Sequence, residues 1–564
     1  MEAHSSQGGL TLKAYGGDGA VLLAFDVDDS LRADLAGFAV EYSAPGSPPR
    51  WIANRLTFNK PIVAATTPEE RRAIWTPTSQ APLQKFHWVH FPSEVLAGNF
   101  TYTATAMLFK TGSETELQSG PQTSVQLDLA ATHHKRFRLG FTRGYLSSQA
   151  YADRFNNAPI VPSPETIDFD TQPFEAQYEW LGFDARKLIF ELLDETLADP
   201  GLSLDVLAYD LDEPDVIRRL QQLGSRVRVF LDDSDSHTKP NAHGELPLEA
   251  DAKRLLSGSA GAANVKTGHF QRFAHNKVLI QRRGDTALKV LAGSANFSVR
   301  GLYVQSNNVF LFDDPGTAEL YEQAFEQAWA HPLGEFDQSP IAAKWFERSG
   351  EGLPDFAVSF SPHTDESVSL ARVADAIAQA QSSVLFAVME IGNSSGPVVK
   401  QISELPTRSG LYAFGTTQKL DGALKVTTPA DPNSPFIPFS YLSKQTPAPF
   451  RAEVAGGAGI VIHDKFVVCD FNGAHPVVFA GSSNLAGGGE RENGDNLVAF
   501  SDRDVATAYA IEAIQMIDHY RFRAVQSKAT QQTPLRLKQR SEDWTHDYFD
   551  PASPRQHERL LFVS

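Results

Sequence analysis

Hydrophobic and polar positions divide the chain into three patterned stretches. Over residues 9 to about 130 the apolar runs are short and separated by clusters of Gly, Pro, Asp and Ser. They are Gly19 to Phe25 (GAVLLAF), Leu35 to Tyr42 (LAGFAVEY), Trp88 to Phe91, Tyr102 to Phe109 (YTATAMLF) and Thr123 to Leu129. Short strands at this spacing, punctuated by turn formers, predict an all-β sandwich. From about 135 to 345 the pattern changes: Leu202 to Asp210 (LSLDVLAYD) reads as a strand, Pro214 opens a helix that Gly224 ends, and Val227 to Leu231 is the next strand. A polar loop over 233–272 follows, Asn308 to Phe312 is a closing strand, and a helix from Thr317 carries Ala318, Tyr321, Phe325 and Ala328 on one face. The plan then repeats, with a strand at Ser383 to Glu390, a helix opened by Pro397, a strand at Leu411 to Phe414 and a Pro/Gly-rich loop over 418–458. After Phe500 a helix carries Ala510, Ala513, Ile514 and Ile517. Strand–helix alternation twice over predicts two similar α/β lobes meeting near 345–356.

The repetition is literal around one polar island in each lobe. Phe273-Ala274-His275-Asn276-Lys277-Val278 is followed by Gly293-Ser294-Ala295-Asn296, and His463-Asp464-Lys465 by Gly481-Ser482-Ser483-Asn484. His275 and His463, Lys277 and Lys465, Asn296 and Asn484, and Phe312 and Phe500 all stand 188 residues apart. One H-x-K triplet means little, but unbroken register over about 38 residues is an internal duplication. On a strand, residues i and i+2 face one side, so the His and Lys of each copy point together. The copies differ in two places. Five residues after the Lys stands Arg282 in the first copy and Asp470 in the second, and Gln305-Ser306-Asn307-Asn308 registers against Asn493-Gly494-Asp495-Asn496.

Composition narrows the setting. At 564 residues, 42% hydrophobic and 21% charged, the chain suits a globular protein of about three domains. Its single cysteine, Cys469, lies within the second motif's strand, where a core role is expected, and there is no disulfide framework. The N-terminus has no charged segment followed by an apolar one, and no stretch approaches 18 apolar residues. A cytoplasmic monomer without stable membrane insertion is therefore expected. The net charge of −18 disfavours coating of nucleic acid or anionic membrane, while leaving room for a local basic pocket. The basic cluster Arg521, Arg523, Lys528, Arg536, Lys538 and Arg540 is read as a solvated face. His133 with His134, and Asp232, Asp233 and Asp235 with His237, lack metal-ligand spacing and read as solvated loop residues, so neither metal nor other cofactor is expected. No phosphate-cradling glycine loop is present. Gly392-Asn393-Ser394-Ser395-Gly396 matches a nucleophile elbow. Its counterpart Asp210-Leu211-Asp212-Glu213-Pro214 has the same strand-to-Pro-to-helix arrangement without a serine, so Ser394 is read as a helix cap.

An imidazole, an ammonium and an amide brought together twice suit a phosphoryl centre. Lysines and amides neutralise and hydrogen-bond its oxygens, two imidazoles serve attack and departure, and Ser294 and Ser482 offer hydroxyls to the same oxygens. His463-Asp464-Lys465 with Asp470 fits the H-x-K-x-x-x-x-D signature of the phospholipase D superfamily, and residues 293–296 and 481–484 resemble its following G-S-x-N. The resemblance covers about residues 140 to 540. It implies two pseudo-symmetric lobes with one active site at their interface, one His as nucleophile and the other as acid then base, and no metal. LAGFAVEY and FTYTATAMLFKTGSETELQSGP resemble strands C and F–G of a fibronectin type III domain, with residues 44–85 as a long insertion. Such a module implies protein or carbohydrate contact, or bracing.

The expected organisation is thus a β-sandwich at 1–132, lobes at 133–348 and 349–545, and a C-terminal tail at 546–564. The expected catalytic set is His275, Lys277, Asn296, His463, Lys465, Asn484, Asp470 and Asp495, with Ser294, Ser482 and Asn307 binding substrate. In the family the position of Asp495 and Asn307 commonly holds the group that hydrogen-bonds the catalytic imidazole. Paired within each lobe, Asp495 would favour a protonated His463 and Asn307 a neutral His275, making His275 the nucleophile and His463 the acid. The leading expectation is a phosphodiesterase that hydrolyses or transfers a phosphatidyl group. The alternative is a nuclease or DNA-end phosphodiesterase, since the amide for carboxylate and the missing first Asp resemble tyrosyl-DNA phosphodiesterases. A third class is a non-catalytic binding protein. Pro435-Phe436-Ile437-Pro438-Phe439 with Tyr441-Leu442 is a candidate lipid entrance.

Overall fold

The computed structural model describes the chain except residues 93–97, 130–133, 145–147, 164, 241–243, 392–395, 421–435 and 439–461. Its N-terminal part is two four-stranded antiparallel sheets. One is ordered Glu2–Gln7, Leu10–Gly16, Val21–Val27, His87–His90, and the other Leu117–Asp128, Asn99–Phe109, Leu35–Ser43, Arg50–Trp51. The strands read as C, F and G lie side by side, with Asn99–Phe109 in the middle. Its period-two pattern turns Phe100, Tyr102, Ala104 and Ala106 inward, all fully buried. Phe25 stacks on Phe38 across the two sheets at 4.5 Å between ring centres.

The C-terminal residues are not a detached tail. Trp544 and Tyr548 enter the sandwich core, their rings 5.4 and 4.8 Å from that of Phe86. The helix Pro554–Val563 buries Phe562, whose carbonyl accepts the Tyr15 hydroxyl at 2.8 Å. Buried His87 lies 2.9 Å from both Asp518 and Glu558, joining the sandwich to two C-terminal helices. Three arginines of the basic cluster are engaged within the molecule, while Lys528 and Lys538 are exposed. Arg536 pairs with Glu542 at 2.7 Å, Arg540 pairs with Asp34, and Arg521 lies 4.4 Å from the Phe414 ring centre.

The two lobes share one topology. The first sheet runs Phe137–Phe141, Asn308–Phe312, Thr286–Gly293, Lys277–Arg283, Leu202–Ala208, Val227–Asp232, Val265–Gly268. The second runs Phe346–Arg348, Phe356–Ser361, Asp495–Phe500, Val477–Gly481, Phe466–Cys469, Ser383–Ile391, Tyr412–Leu420, Phe436–Pro438. Strand directions agree at every equivalent pairing, and the second sheet adds one edge strand, Phe346–Arg348, which the expected boundary at 348 assigned to the first lobe. Central strands are apolar on both faces because both are covered: Val278, Leu279 and Ile280 are fully buried. The helices Pro315–Ala330 and Arg503–Lys528 bury the predicted faces. Phe312 and Phe500, equivalent residues of the two copies, stack 6.2 Å apart where the lobes meet. Among the described residues no helix is long and apolar enough to cross a membrane.

Candidate active site

Each H-x-K segment enters its sheet at a strand start: Lys277 opens Lys277–Arg283, and Lys465 immediately precedes Phe466–Cys469. Each is also paired with the polar turn of the opposite lobe. Parallel bridges join Phe273 to Asn493 and Ile462 to Ser306. The Gly494 amide donates to the Phe273 carbonyl at 2.9 Å, and the His463 amide to the Ser306 carbonyl at 3.2 Å.

This stitching exchanges the imidazole partners. His275 Nδ1 donates to Asp495 Oδ1 at 2.7 Å, and His463 Nδ1 to Asn307 Oδ1 at 2.9 Å. The residues between obey the same exchange: Asn496 Nδ2 donates to Asn276 Oδ1 and Asn308 Nδ2 to Asp464 Oδ1, both at 2.9 Å. The expected pairing within each lobe is thus corrected, because the pseudo-twofold arrangement carries each turn across to the other motif. Asn307 Nδ2 is held by the Gly301 carbonyl at 2.9 Å, so the atom facing His463 is an acceptor. In both rings Nδ1 therefore carries the hydrogen and Nε2 is the nitrogen left for chemistry.

Lys277 and Lys465 are almost wholly buried, their ammonium groups on the carbonyls of His275 and His463 respectively. Burial lowers Lys277 to about 8, and burial together with Lys277 drives Lys465 well below the ordinary lysine range. The charges of Asp495 and Asp210 act on both lysines without restoring their ordinary range. Burial, then Lys277, holds His275 below its ordinary range although Asp495 pulls the other way. Burial, then Lys465 and Lys277, holds His463 well below its own. Burial would raise Asp495, but His275 and its hydrogen bond outweigh it, so the carboxyl stays ionised. Asn296 and Asn484 complete the constellation, and each keeps a buried Oδ1 without a partner.

The glycine preceding each motif serine is set by space. Gly293 and Gly481 both have φ of 149°, and a Cβ there would lie 2.3 Å from the Asn308 carbonyl oxygen and 2.4 Å from that of Asn496. Ser294 Oγ donates to Asn307 Oδ1 at 2.8 Å and accepts from the Asn308 amide at 3.0 Å, and Ser482 Oγ accepts from the Asn496 amide at 3.0 Å. Both serines are fully buried. Ser294, Ser482 and Asn307 thus orient the turns and His463 through these hydrogen bonds. The expected role of Asp470 is corrected. It sits beyond the far end of its strand, about 20 Å of extended chain from His463. Its carboxylate caps the backbone amides of Gln381, Ser382 and Ser383 at 2.9, 2.7 and 3.0 Å. Its counterpart Arg282 bridges Asp205 at 3.2 Å and Glu322 at 2.7 Å, so both are sheet braces and the difference lies outside the site.

Several site residues carry no local sequence signal. Asp210 accepts from Asn296 Nδ2 at 2.5 Å and from His237 Nε2 at 2.9 Å, while His237 Nδ1 donates to Asp232 Oδ1 at 2.8 Å. Asp232 and His237 are 3% and 6% exposed, which corrects their reading as solvated. Burial would lower His237, but hydrogen bonds to Asp210 and Asp232 raise it to about 10. The Tyr209 ring lies edge-on between His237 and His275, at 4.5 and 4.8 Å, with Lys277 Nζ 4.9 Å from its centre. Arg300 adds a further cation that lowers His463. These residues are scattered along lobe 1, and only the fold assembles them. His134 pairs with Asp502 at 3.0 Å. His133 and Ser394 lie outside the described residues, as does the candidate lipid entrance apart from Phe436–Pro438, an edge strand parallel to Tyr412–Leu420.

Residues 195–329 match the family model described as cardiolipin synthase, PLD-like domain. No curated protein sequence matches the chain. Among solved structures, phosphatidylserine synthase of Haemophilus influenzae Rd KW20 is similar at 14% identity and a TM-score of 0.40, over 68% of this chain and 94% of that one. Polyphosphate kinase of Porphyromonas gingivalis is similar at 12% identity and a TM-score of 0.39, over 60% of this chain and 48% of that one. Yeast tyrosyl-DNA phosphodiesterase is similar at 12% identity and a TM-score of 0.31, over 55% of this chain and 86% of that one. The family match falls on the first lobe, which holds His275, so that lobe carries a PLD-like domain, and the second lobe repeats its topology and its motif.

Proposed function

We propose that the chain is a phosphodiesterase of phospholipase D type that works through a covalent phosphohistidine on His275. The observation that carries this is the exchanged pair, His275 on Asp495 and His463 on Asn307, beside two buried lysines. Attack makes the nucleophilic imidazole cationic, and an ionised carboxylate on Nδ1 stabilises that cation where an amide does so far less. The assignment of His275 as nucleophile thus rests on the carboxylate behind it, the reverse of the ground on which the sequence suggests it.

Neutral His275 attacks phosphorus through Nε2. The bond from phosphorus to the leaving oxygen breaks, and that oxygen takes the Nε2 proton of His463. His463 is depressed by the lysines, so it holds this proton once the phosphate has offset their charge. Water, giving its proton to His463, then attacks the phosphohistidine, and the P–N bond breaks with its electron pair returning to His275. An alcohol in place of water gives transfer.

A phospholipid is the proposed substrate, because a chain of net charge −18 repels a polyanion more than a single lipid phosphate. Head-group release from phosphatidylcholine and cleavage of DNA, measured side by side, separate this from the nuclease reading. Acid-stable trapping is unsuited to a P–N bond, so the adduct is quenched in base and located by mass spectrometry. It is expected on the peptide bearing His275; an adduct on His463 alone would sink the assignment.

A further inference from the structure

Asp210, His237 and Glu249 lie beside the first half-site, and the phosphohistidine chemistry gives them no task. We propose that they bind one divalent transition-metal ion. Their donor atoms all lie within 4.8 Å of one another, from three separate stretches of lobe 1. His237 Nε2 and Asp210 Oδ1 are 2.9 Å apart. Two donors at right angles on an ion, with bonds of about 2.1 Å, are separated by roughly 3.0 Å. The ion would replace the proton that now bridges them.

The imidazole is braced as a metal ligand's is. Asp232 accepts from Nδ1 at 2.8 Å, and its other oxygen is fixed by the Ala274 amide at 2.6 Å. A carboxylate behind the imidazole sets the tautomer that leaves Nε2 for a metal. Negative charge is also crowded there. Three carboxylates, those of Asp210, Asp232 and Glu249, converge on this one imidazole.

A second, independent feature is Asn296. It is 2% exposed, its Nδ2 is on Asp210 Oδ2 at 2.5 Å, and its Oδ1 has no partner. Turning this amide over would give Oδ1 to an ion on Asp210 and release Nδ2 to donate to a phosphate oxygen. The ion would then prime one arm of the phosphate cradle without touching the phosphate. One imidazole nitrogen with two or three oxygens suits Mn²⁺ or Zn²⁺ better than Ca²⁺, which takes six to eight oxygens.

The test uses the full, untagged chain stripped with EDTA and titrated with MnCl₂, followed by the electron-spin resonance of free Mn²⁺, and with ZnCl₂ by calorimetry. One ion per chain is expected. His237→Gln and Glu249→Gln should each weaken binding by at least about tenfold, and Asp232→Asn by about 10–100-fold. Glu249 lies at a partly exposed rim, so its variant keeps the test open if His237→Gln melts early. No stoichiometric uptake, or uptake unchanged in both ligand variants, overturns the site. Tungstate affinity should rise with the ion in the wild type and not in Asn296→Ala; an unchanged tungstate affinity in the wild type overturns the amide turn. Ion uptake is read without turnover, so failure of the phosphohistidine assignment would leave this result standing.

Discussion

His275 and His463 occupy equivalent places in two copies of one fold, yet behind the first stands a carboxylate and behind the second an amide. The other motif residues are matched: a buried lysine on the histidine's own carbonyl, a serine under the opposing turn, an asparagine nineteen residues after the lysine. On the proposed mechanism, the chemical division of labour rests on the acceptor exchanged between lobes. A symmetric scaffold becomes an asymmetric catalyst when one half stabilises a cationic ring and the other gives its proton away readily.

The largest effects should come from removing the rings. His275→Ala is expected to lower head-group release by about 10⁴-fold or more and to abolish the covalent adduct. His463→Ala should do the same for an ordinary lipid. With a p-nitrophenyl phosphodiester, whose leaving group needs no acid, His463→Ala should retain a stoichiometric burst that His275→Ala lacks. A burst in His275→Ala and none in His463→Ala would reverse the assignment.

Next come the acceptors. Asp495→Asn should cost about 10²–10³ in kcat while leaving the fold intact, since the amide keeps the hydrogen bond but not the charge. Asn307→Asp should change kcat by less than about tenfold, because it only eases protonation of His463. The double exchange Asn307→Asp with Asp495→Asn is the sharpest test. Mass spectrometry should find the trapped phosphoryl moved in part to His463, and retention solely on His275 would mean that something other than the acceptor decides.

The lysines set a smaller, pH-dependent effect. Burial depresses Lys277 to about 8, so it is charged below that pH and loses its proton as pH rises through it. The quantity kcat/KM should fall above pH about 8 as phosphate binding weakens, and Lys277→Arg, which stays charged, should move that limb upward. An alkaline limb unmoved by the arginine would assign it to another group.

The motif residues were legible in the sequence because a duplication repeats chemistry at a fixed offset, and period-two and helical patterns placed the strands and the two long helices. The partners of the imidazoles were not, because offset reveals equivalence and not adjacency. Asp495 is equivalent to Asn307 but touches His275, and only the crossing of the turns at Phe273–Asn493 and Ile462–Ser306 shows it. Asp210, Tyr209 and His237 were hidden for a related reason: each is ordinary in its own stretch and becomes unusual only when three stretches converge. The C-terminal helix has the sequence pattern of a tail because its apolar face is short and its partners, Tyr15 and Tyr412, are more than a hundred residues away.

Asp470 tests the limit of motif reading and should give the smallest catalytic effect. It is the residue that completes the second motif's signature, yet its carboxylate serves three backbone amides beyond the far end of the strand. Asp470→Ala leaves those donors without their acceptor and should cost about 1–3 kcal/mol of stability. It also places alanine at φ 51°, which disfavours a side chain lacking a local acceptor. The melting midpoint should drop by several degrees, with kcat at a temperature well below it within about twofold of the wild type. Asp470→Asn tolerates that backbone and should recover part of the loss. A hundredfold fall in kcat at unchanged stability would place Asp470 back among the groups that govern the two rings.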